Sequence, residues 1–132
     1  MNEDFVPFEL AKKLKEKGFD KPCFGHYENE EFCFNEMRYE PSILFYNDFL
    51  EKWNDKGESF VDTPTTSQVL KWLREEKNIH VAIGYSGETE WRYVIVFLGD
   101  KCFENPNIIH KHFNSYESAA LAGIEYVLDN LI

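Results

Sequence analysis

The most constraining feature of the sequence is a pair of alternating apolar runs at residues 79–85 and 91–98, joined by a short polar segment. In each run every second residue is large and apolar, which is the pattern of a β-strand with one buried face. Residues 86–89, Ser-Gly-Glu-Thr, have the composition of a turn. The pattern therefore predicts an antiparallel hairpin whose apolar face must be covered by another layer.

A second, shorter hairpin is predicted nearer the N-terminus. Strand-like runs at 23–27 and 32–34 flank the polar segment 28–31, Glu-Asn-Glu-Glu. Alternation along the first run puts Cys23 and His26 on opposite faces. Pairing across a simple hairpin puts His26 and Cys33 on the same face.

Three segments have the apolar period of an α-helix. They span about residues 7–17, 64–77 and 115–131. Pro7 and Pro64 suit the first helical position, and Gly18 suits a left-handed helix end. Thr63 or Thr65 can cap the second helix, and Asn114 with Glu117 fits a capping box for the third.

The order of these elements predicts an α+β fold, with a mostly antiparallel sheet built from two hairpins and covered by three helices. We expect one domain over residues 1–132. The two helix–hairpin halves raise the possibility of a distant repeat, although they share negligible identity. Within residues 39–62, the apolar run 43–53 fits a helix face, residues 43–46 alone fit a short buried strand, and the sequence leaves both open.

Charge limits the partners that this chain can bind. The 132 residues include 24 acidic and 14 basic side chains, for a formal net charge of −10. Such a charge disfavours binding to nucleic-acid phosphates or to an anionic membrane. The longest apolar runs fall short of a membrane span, the N-terminus does not resemble a signal peptide, and three widely spaced cysteines do not make a disulfide framework. We therefore expect a cytoplasmic protein.

Four short motifs carry a family resemblance. They are Phe5–Ala11, Pro22–Gly25, the P-T-x-x-Q-x-x-x-W-L-R-E-like segment that begins at Pro64, and the S-Y-E-x-A-like segment at Asn114–Ala119. Together they resemble a family of small uncharacterised proteins from Bacteroidota, their phages and mobile elements. The resemblance leaves residues 28–62 mostly uncovered, and it brings no activity, cofactor or site residues. It implies an accessory protein that acts inside a bacterial cell.

Candidate metal and catalytic residues are few. Cys23, His26 and Cys33 have zinc-ligand chemistry, but the predicted faces keep Cys23 away from the other two. His110 and His112 would share a face on an extended strand, although a solvated loop is favoured there. Cys102 lacks an oriented base, and no nucleophile elbow or glycine-rich phosphate loop is present in the sequence. We therefore predict no metal, no cofactor and no catalytic residue, and a catalytic function is disfavoured.

The acidic charge is concentrated in one aromatic-rich segment. Residues 28–62 hold ten acidic side chains against three basic ones, together with eight aromatics. Charge of this kind steers a basic protein partner, and aromatics supply binding hot spots, although a merely solubilising surface has the same composition. The candidate partner-binding residues are Glu28, Glu30, Glu31, Glu36, Glu40 and Trp53.

Three functional hypotheses follow. The first is a non-catalytic protein that binds a basic protein partner through residues 28–62. The second is a small enzyme or small-ligand binder with a site on the sheet face near His80, Arg92 and Tyr93. The third is a homodimer with a structural role, in which exposed aromatics bury one another.

Overall fold

The computed structural model describes residues 5–35, 53–85, 87, 90–99, 103–104 and 112–132. The chain divides into two compact units, Met1–Thr65 and Thr66–Ile132. The expectation of a single domain stays a prediction. Among the described residues, no helix has the length and apolarity needed to cross a membrane.

The described residues of the first unit form one α-helix, a short 3-10 helix and three strands. The elements are α1 (Phe8–Glu16), β1 (Gly25–Glu28), β2 (Glu31–Phe34), the 3-10 helix Trp53–Lys56 and β3 (Phe60–Thr63). The strands form an antiparallel sheet in the order β2-β1-β3. Strand β3 begins within residues 39–62, whose conformation the sequence left open, and residues 39–52 of that stretch lie outside the described part.

Helix α1 ends as the sequence predicts. Gly18 has a φ of +89°, and the Phe19 N–H donates to the Leu14 carbonyl at 2.9 Å. This is the Schellman ending, and Leu14 and Phe19 are both buried beside it. Its start differs by one residue, because Pro7 is extended, with φ −69° and ψ 163°, and precedes the first helical residue.

Strand β3 is held to the segment before α1 by buried hydrogen bonds. The Thr63 hydroxyl donates to the Val6 carbonyl at 2.9 Å, and the Tyr27 hydroxyl donates to the same oxygen at 2.9 Å. The Val6 N–H donates to the Pro64 carbonyl at 3.0 Å. The prediction that Thr63 caps the second helix is therefore wrong, since its side chain is buried within the first unit.

In the second unit, the part of the chain that the structure describes forms the long hairpin, a short third strand and two helices. The elements are α2 (Thr66–Glu76), β4 (Ile79–Tyr85), β5 (Trp91–Phe97), β6 (Phe103–Glu104) and α3 (Tyr116–Asn130). The sheet is antiparallel in the order β4-β5-β6. Helix α3 packs on β4 and β5, and α2 packs on β4 and on α3.

The predicted antiparallel pairing is confirmed over Ile79–Tyr85 and Trp91–Phe97. Ile79 pairs with Phe97 at one end and Tyr85 with Trp91 at the other. Val81 and Ile95 form a central pair, and both are buried. Helix α3 starts one residue later than the capping box predicted, because Ser115 rather than Asn114 is the N-cap and accepts from the Ser118 N–H at 3.1 Å.

The buried face of α3 is built largely from small residues. Ile124, Val127 and Leu128 are buried as the apolar period predicts. Leu121 and Leu131 are only half-buried, and Ala119, Ala120 and Gly123 line the buried face instead. Small residues let the helix approach the sheet closely.

The α+β class, the two antiparallel hairpins and the three helices are confirmed. Each hairpin belongs to its own three-stranded sheet. In the first unit the third strand pairs with the first strand of the hairpin, whereas in the second unit it pairs with the second strand. The two halves therefore have different topologies, which argues against a repeat.

Candidate functional site

The first hairpin separates aromatic from polar side chains on two faces of its sheet. Because neighbouring residues of a strand point to opposite faces, Tyr27, Phe32 and Phe34 share one face. The Phe32 ring lies 4.9 Å from the Phe34 ring and 5.0 Å from the Phe5 ring, between centroids. Phe34 remains 55% exposed at the edge of this cluster. The cluster thus combines a packed interior with one accessible aromatic.

Gly25 allows the aromatic cluster to lie against the backbone. A Cβ at this position would be 2.8 Å from the Phe32 Cε2 atom and 3.2 Å from the Phe5 Cε1 atom. Such distances are well inside van der Waals contact. Any larger residue would displace the rings from β1.

The opposite face of the same sheet carries titratable groups. His26 pairs with Cys33 on one side and with Asp62 on the other, so these three residues form a row across the sheet. His26 and Asp62 are buried, and Cys33 is half-buried. Glu28 follows two residues after His26 on this face, and it is exposed.

The histidine ring is oriented by an asparagine. His26 Nδ1 lies within hydrogen-bond distance of Asn35 Oδ1, and Asn35 Nδ2 donates to the Cys23 carbonyl at 2.6 Å. The second bond fixes which end of the amide faces the ring, so Nδ1 carries the proton and donates it to Asn35. The other ring nitrogen, Nε2, lies 3.7 Å from Glu28 Oε2.

Three donor atoms converge on this face. His26 Nε2, a carboxylate oxygen of Glu28 and Cys33 Sγ all lie within 4.8 Å of one another. The predicted pairing of His26 with Cys33 is confirmed. Glu28 takes the third place in the cluster, and Cys23 lies outside it.

Cys23 has a different environment from Cys33. Its side chain is fully buried, and its thiol donates to the Lys21 carbonyl at 3.3 Å. Burial raises the pKa of the Cys23 thiol far above its ordinary value, and the negative charge of Asp62 raises it further. Cys23 is therefore a neutral packing residue rather than a ligand or a nucleophile.

Glu28 was missed as a candidate ligand because the sequence places it in the turn. The turn is tighter than predicted: Asn29 and Glu30 have φ values of 52° and 70°, and Glu28 pairs with Glu31 as the last pair of the hairpin. Two left-handed residues are the signature of a two-residue type I′ turn. Asn29, which tolerates this conformation, is the sequence signal that could have identified it.

The same turn brings three candidate partner-binding residues together. Glu28, Glu30 and Glu31 are all exposed at the hairpin tip, and residues 22–35 contain no lysine or arginine. Glu36 and Glu40 lie outside the described residues, as does the side chain of Trp53, whose backbone begins the 3-10 helix.

The sheet-face site suggested for the second unit is not assembled. Tyr93 faces the helices, with its ring 6.0 Å from the Phe113 ring and 6.4 Å from the Tyr126 ring, between centroids. Its register partner is Ile83, whereas Arg92 pairs with Gly84. By alternation Arg92 lies with His80 on the opposite face from Tyr93, so the three side chains do not converge. The prediction that they form one site is wrong.

The remaining candidate residues fall near or outside the limits of the described part. His112 is exposed, and its Nδ1 lies 3.0 Å from Glu90 Oε2. Cys102 and His110 lie outside the described residues. The geometry suggested for these three residues therefore stays a prediction.

Comparisons with protein-family models, with curated proteins and with solved structures found no match to this chain. Membership of the Bacteroidota family therefore stays a prediction, and function has to be argued from the geometry of the first hairpin.

Proposed function

We propose that this chain is a non-catalytic, cytosolic accessory protein of a bacterium or phage that binds a basic protein partner through its first hairpin. The observation that carries the proposal is the hairpin tip, where Glu28, Glu30 and Glu31 are exposed side by side and residues 22–35 contain no lysine or arginine. Opposite charge on a partner steers encounter and fixes register.

The tip carries two energetic costs, and a cationic partner would reduce the electrostatic one. Glu28 and Glu31 are direct cross-strand partners, and like charges at such positions destabilise a sheet by a fraction of a kcal/mol to about 1 kcal/mol. Glu30 is left-handed, which costs a non-glycine residue roughly 1–2 kcal/mol. The first cost is electrostatic, so a lysine or arginine placed between the two carboxylates turns repulsion into attraction.

Exposed aromatic surface lies on the same hairpin. Phe34 is 55% exposed at the end of β2, and Phe24 is 40% exposed just before β1. Aromatic side chains that become buried on binding supply much of the affinity of many interfaces. The hairpin thus offers charge for steering at its tip and apolar surface for affinity at its base.

The test is a charge reversal with a matched control. Glu30→Lys/Glu31→Lys reverses the tip, and Glu16→Lys/Asp20→Lys makes the same change in net charge at two exposed positions outside the hairpin. Partners captured by the wild-type chain from a bacterial lysate are identified by mass spectrometry, purified and titrated against the three proteins. We expect the tip variant to lose binding and the control to keep it.

Ionic strength gives a second measurement. The Debye length falls from about 10 Å at 0.1 M salt to about 3 Å at 1 M, so binding steered by the tip should weaken with salt. The proposal is wrong if binding survives both the tip reversal and high salt, or if the two charge reversals weaken it equally.

A homodimer is the alternative that exposed Phe34 also favours. Strand β2 is at the edge of its sheet, and pairing of two such edges would bury Phe34 against its copy. Light scattering of the wild-type chain and of Phe34→Ala decides between the two. A dimer that Phe34→Ala dissociates supports self-association, and a monomer in both cases rules out self-association through this edge.

A further inference from the structure

We propose that His26, Glu28 and Cys33 form a binding site for a single divalent metal ion of the zinc type. The three donor atoms, Nε2, a carboxylate oxygen and Sγ, lie within 4.8 Å of one another on the polar face of the first sheet. The proposal goes beyond the partner-binding function and does not depend on it.

The register of the hairpin preorganises the three ligands. His26 and Cys33 are direct cross-strand partners, and Glu28 lies two residues along the same face of β1. Zinc–nitrogen and zinc–oxygen bonds of about 2.0–2.1 Å and a zinc–sulfur bond of about 2.3 Å require donor atoms about 3.3–3.6 Å apart in a tetrahedral site. The 3.7 Å between His26 Nε2 and Glu28 Oε2 is close to that separation. A small movement of the exposed Glu28 side chain closes that difference, and Cys33 Sγ, which lies within 4.8 Å of the other two donors, must also move closer when the metal binds.

Nδ1 of His26, the ring nitrogen that would not bind the metal, has the hydrogen-bond acceptor that a metal-binding histidine needs. Nδ1 donates to Asn35 Oδ1, and Asn35 is itself fixed through its bond to the Cys23 carbonyl. Histidine ligands commonly donate their other N–H to a carbonyl or carboxylate, which sets the tautomer and the ring angle. In the neutral ring with its proton on Nδ1, Nε2 carries the lone pair, and it lies 3.7 Å from a Glu28 carboxylate oxygen. A metal ion between these two atoms can be coordinated by both.

The donor set selects the class of metal. An imidazole nitrogen and a thiolate suit zinc and chemically similar ions, whereas magnesium and calcium prefer oxygen ligands alone. On binding, the Cys33 thiol releases its proton to solvent and the thiolate coordinates the metal. One Zn²⁺ is then balanced by one thiolate and one carboxylate. Three protein ligands leave a fourth position for water or for a ligand from another molecule.

Cobalt is the probe for this site, because Co²⁺ bound to a thiolate gives a charge-transfer band and, in a tetrahedral site, intense visible bands. Untagged full-length protein is titrated with Co²⁺ under reducing conditions, and Zn²⁺ is then added as a competitor. We expect a 1:1 complex with a charge-transfer band that Zn²⁺ abolishes. Absence of the band in the wild-type chain would overturn the proposal.

Two thiol variants identify the sulfur ligand. Cys33→Ser should remove the band, and Cys102→Ser, which removes a thiol outside the described residues, should leave it unchanged. Survival of the band in Cys33→Ser, or its loss in Cys102→Ser, would place the metal elsewhere and overturn the assignment. Circular dichroism confirms that each variant is folded.

The roles of Glu28 and Asn35 are tested by measuring the affinity of two variants for Zn²⁺. Glu28→Gln changes an exposed side chain and should weaken Zn²⁺ binding at least tenfold while the fold is kept. Asn35→Ala removes the positioning residue and should weaken binding by about 10–100-fold with the charge-transfer band still present at saturation. Zinc affinity that neither substitution alters would contradict the site.

Failure of this site and failure of the proposed function are distinguishable. Glu30→Lys/Glu31→Lys leaves all three ligands in place and should still give the cobalt charge-transfer band. Loss of the band in that variant would mean that the metal is held by the acidic tip rather than by His26 and Cys33.

Discussion

Gly123 lies in the middle of α3, where alanine ordinarily stabilises a helix, yet we expect Gly123→Ala to destabilise this protein. A Cβ at position 123 would be 2.6 Å from Val81 Cγ1 and 3.1 Å from the Tyr93 ring. Carbon atoms pack best at about 3.5–4.0 Å, so the helix or the sheet must move by up to about 1 Å. Val81 is buried on β4, and its branched side chain has little rotational freedom.

Two opposing contributions determine how much Gly123→Ala changes the free energy of unfolding. Alanine gains about 1 kcal/mol over glycine in a helix interior, and overpacking a core costs about 1–3 kcal/mol. A contact as short as 2.6 Å with a stiff side chain belongs near the upper end of that range. We therefore expect a net loss of about 1–2 kcal/mol. Urea unfolding followed by circular dichroism should show a midpoint lowered by about 0.5–1 M, for a slope near 2 kcal/mol/M.

A double-mutant cycle provides the control. Val81→Ala removes the Cγ1 atom that makes the shortest contact, so in that background Gly123→Ala should be neutral or stabilising. The coupling between the two sites should be about 1–2 kcal/mol. If Gly123→Ala stabilises the otherwise unchanged protein, or if the coupling is zero, the close packing of α3 on the sheet is refuted.

Four further predictions concern the turn, a helix cap and the cysteines. Glu30→Gly should raise the free energy of unfolding by about 0.5–1 kcal/mol. Glycine adopts the left-handed turn without strain, and this gain exceeds the extra entropy that glycine loses on folding. A lower melting temperature would contradict this prediction. Ser115→Ala should lower the stability by about 1 kcal/mol in urea unfolding, because the Ser118 N–H loses its cap; an unchanged midpoint would show that the cap contributes nothing. Because burial raises the pKa of the Cys23 thiol, only the unfolded state ionises above about pH 8.5. This thiol should therefore lower the stability by up to about 1.4 kcal/mol per pH unit there, and Cys23→Ala should remove that part of the slope. In the native protein, iodoacetamide should label half-buried Cys33 and spare Cys23, as peptide mass spectrometry would show.

The parts of the fold that the sequence predicts well are those set by local rules. The hairpin of β4 and β5 follows from strict alternation, because a slip of one residue would expose Val81 and Ile95. The end of α1 follows from Gly18 and from the apolar pair that closes it. In both cases the determining residues lie within one or two turns, or directly across a short hairpin.

The parts that the sequence does not predict depend on contacts distant along the chain. Strand β3 pairs with β1 across more than thirty residues, and Thr63 is fixed by a bond to Val6 rather than by the helix that follows it. The residues that neighbour β3 and Thr63 in the sequence do not indicate that β1 and Val6 are their pairing partners.

The sequence does not predict the proposed metal site because it places one of the three ligands, Glu28, in the turn. Assigning residues 28–31 to the turn removes Glu28 from the strand and therefore from the face of His26. Left-handed Asn29 and Glu30 shorten the turn to two residues and return Glu28 to β1. The residue thus belongs both to the acidic tip and to the donor cluster, and this dual membership links the two proposals.

Whether zinc strengthens or weakens binding of the partner depends on which groups of the hairpin the partner contacts. Binding of Zn²⁺ to Glu28 and to the Cys33 thiolate changes the charge of the hairpin by +1, since two positive charges enter and one proton leaves. If the partner is held by tip charge alone, zinc weakens its binding, and by linkage the partner weakens zinc binding by the same factor. If the partner instead supplies the fourth ligand, zinc strengthens its binding, because a metal–ligand bond is gained that outweighs one unit of screened surface charge. The effect of zinc on the affinity for the partner therefore has opposite signs in the two cases. Zinc lowers the affinity if the partner is bound by the tip charges alone, and raises it if the partner coordinates the metal.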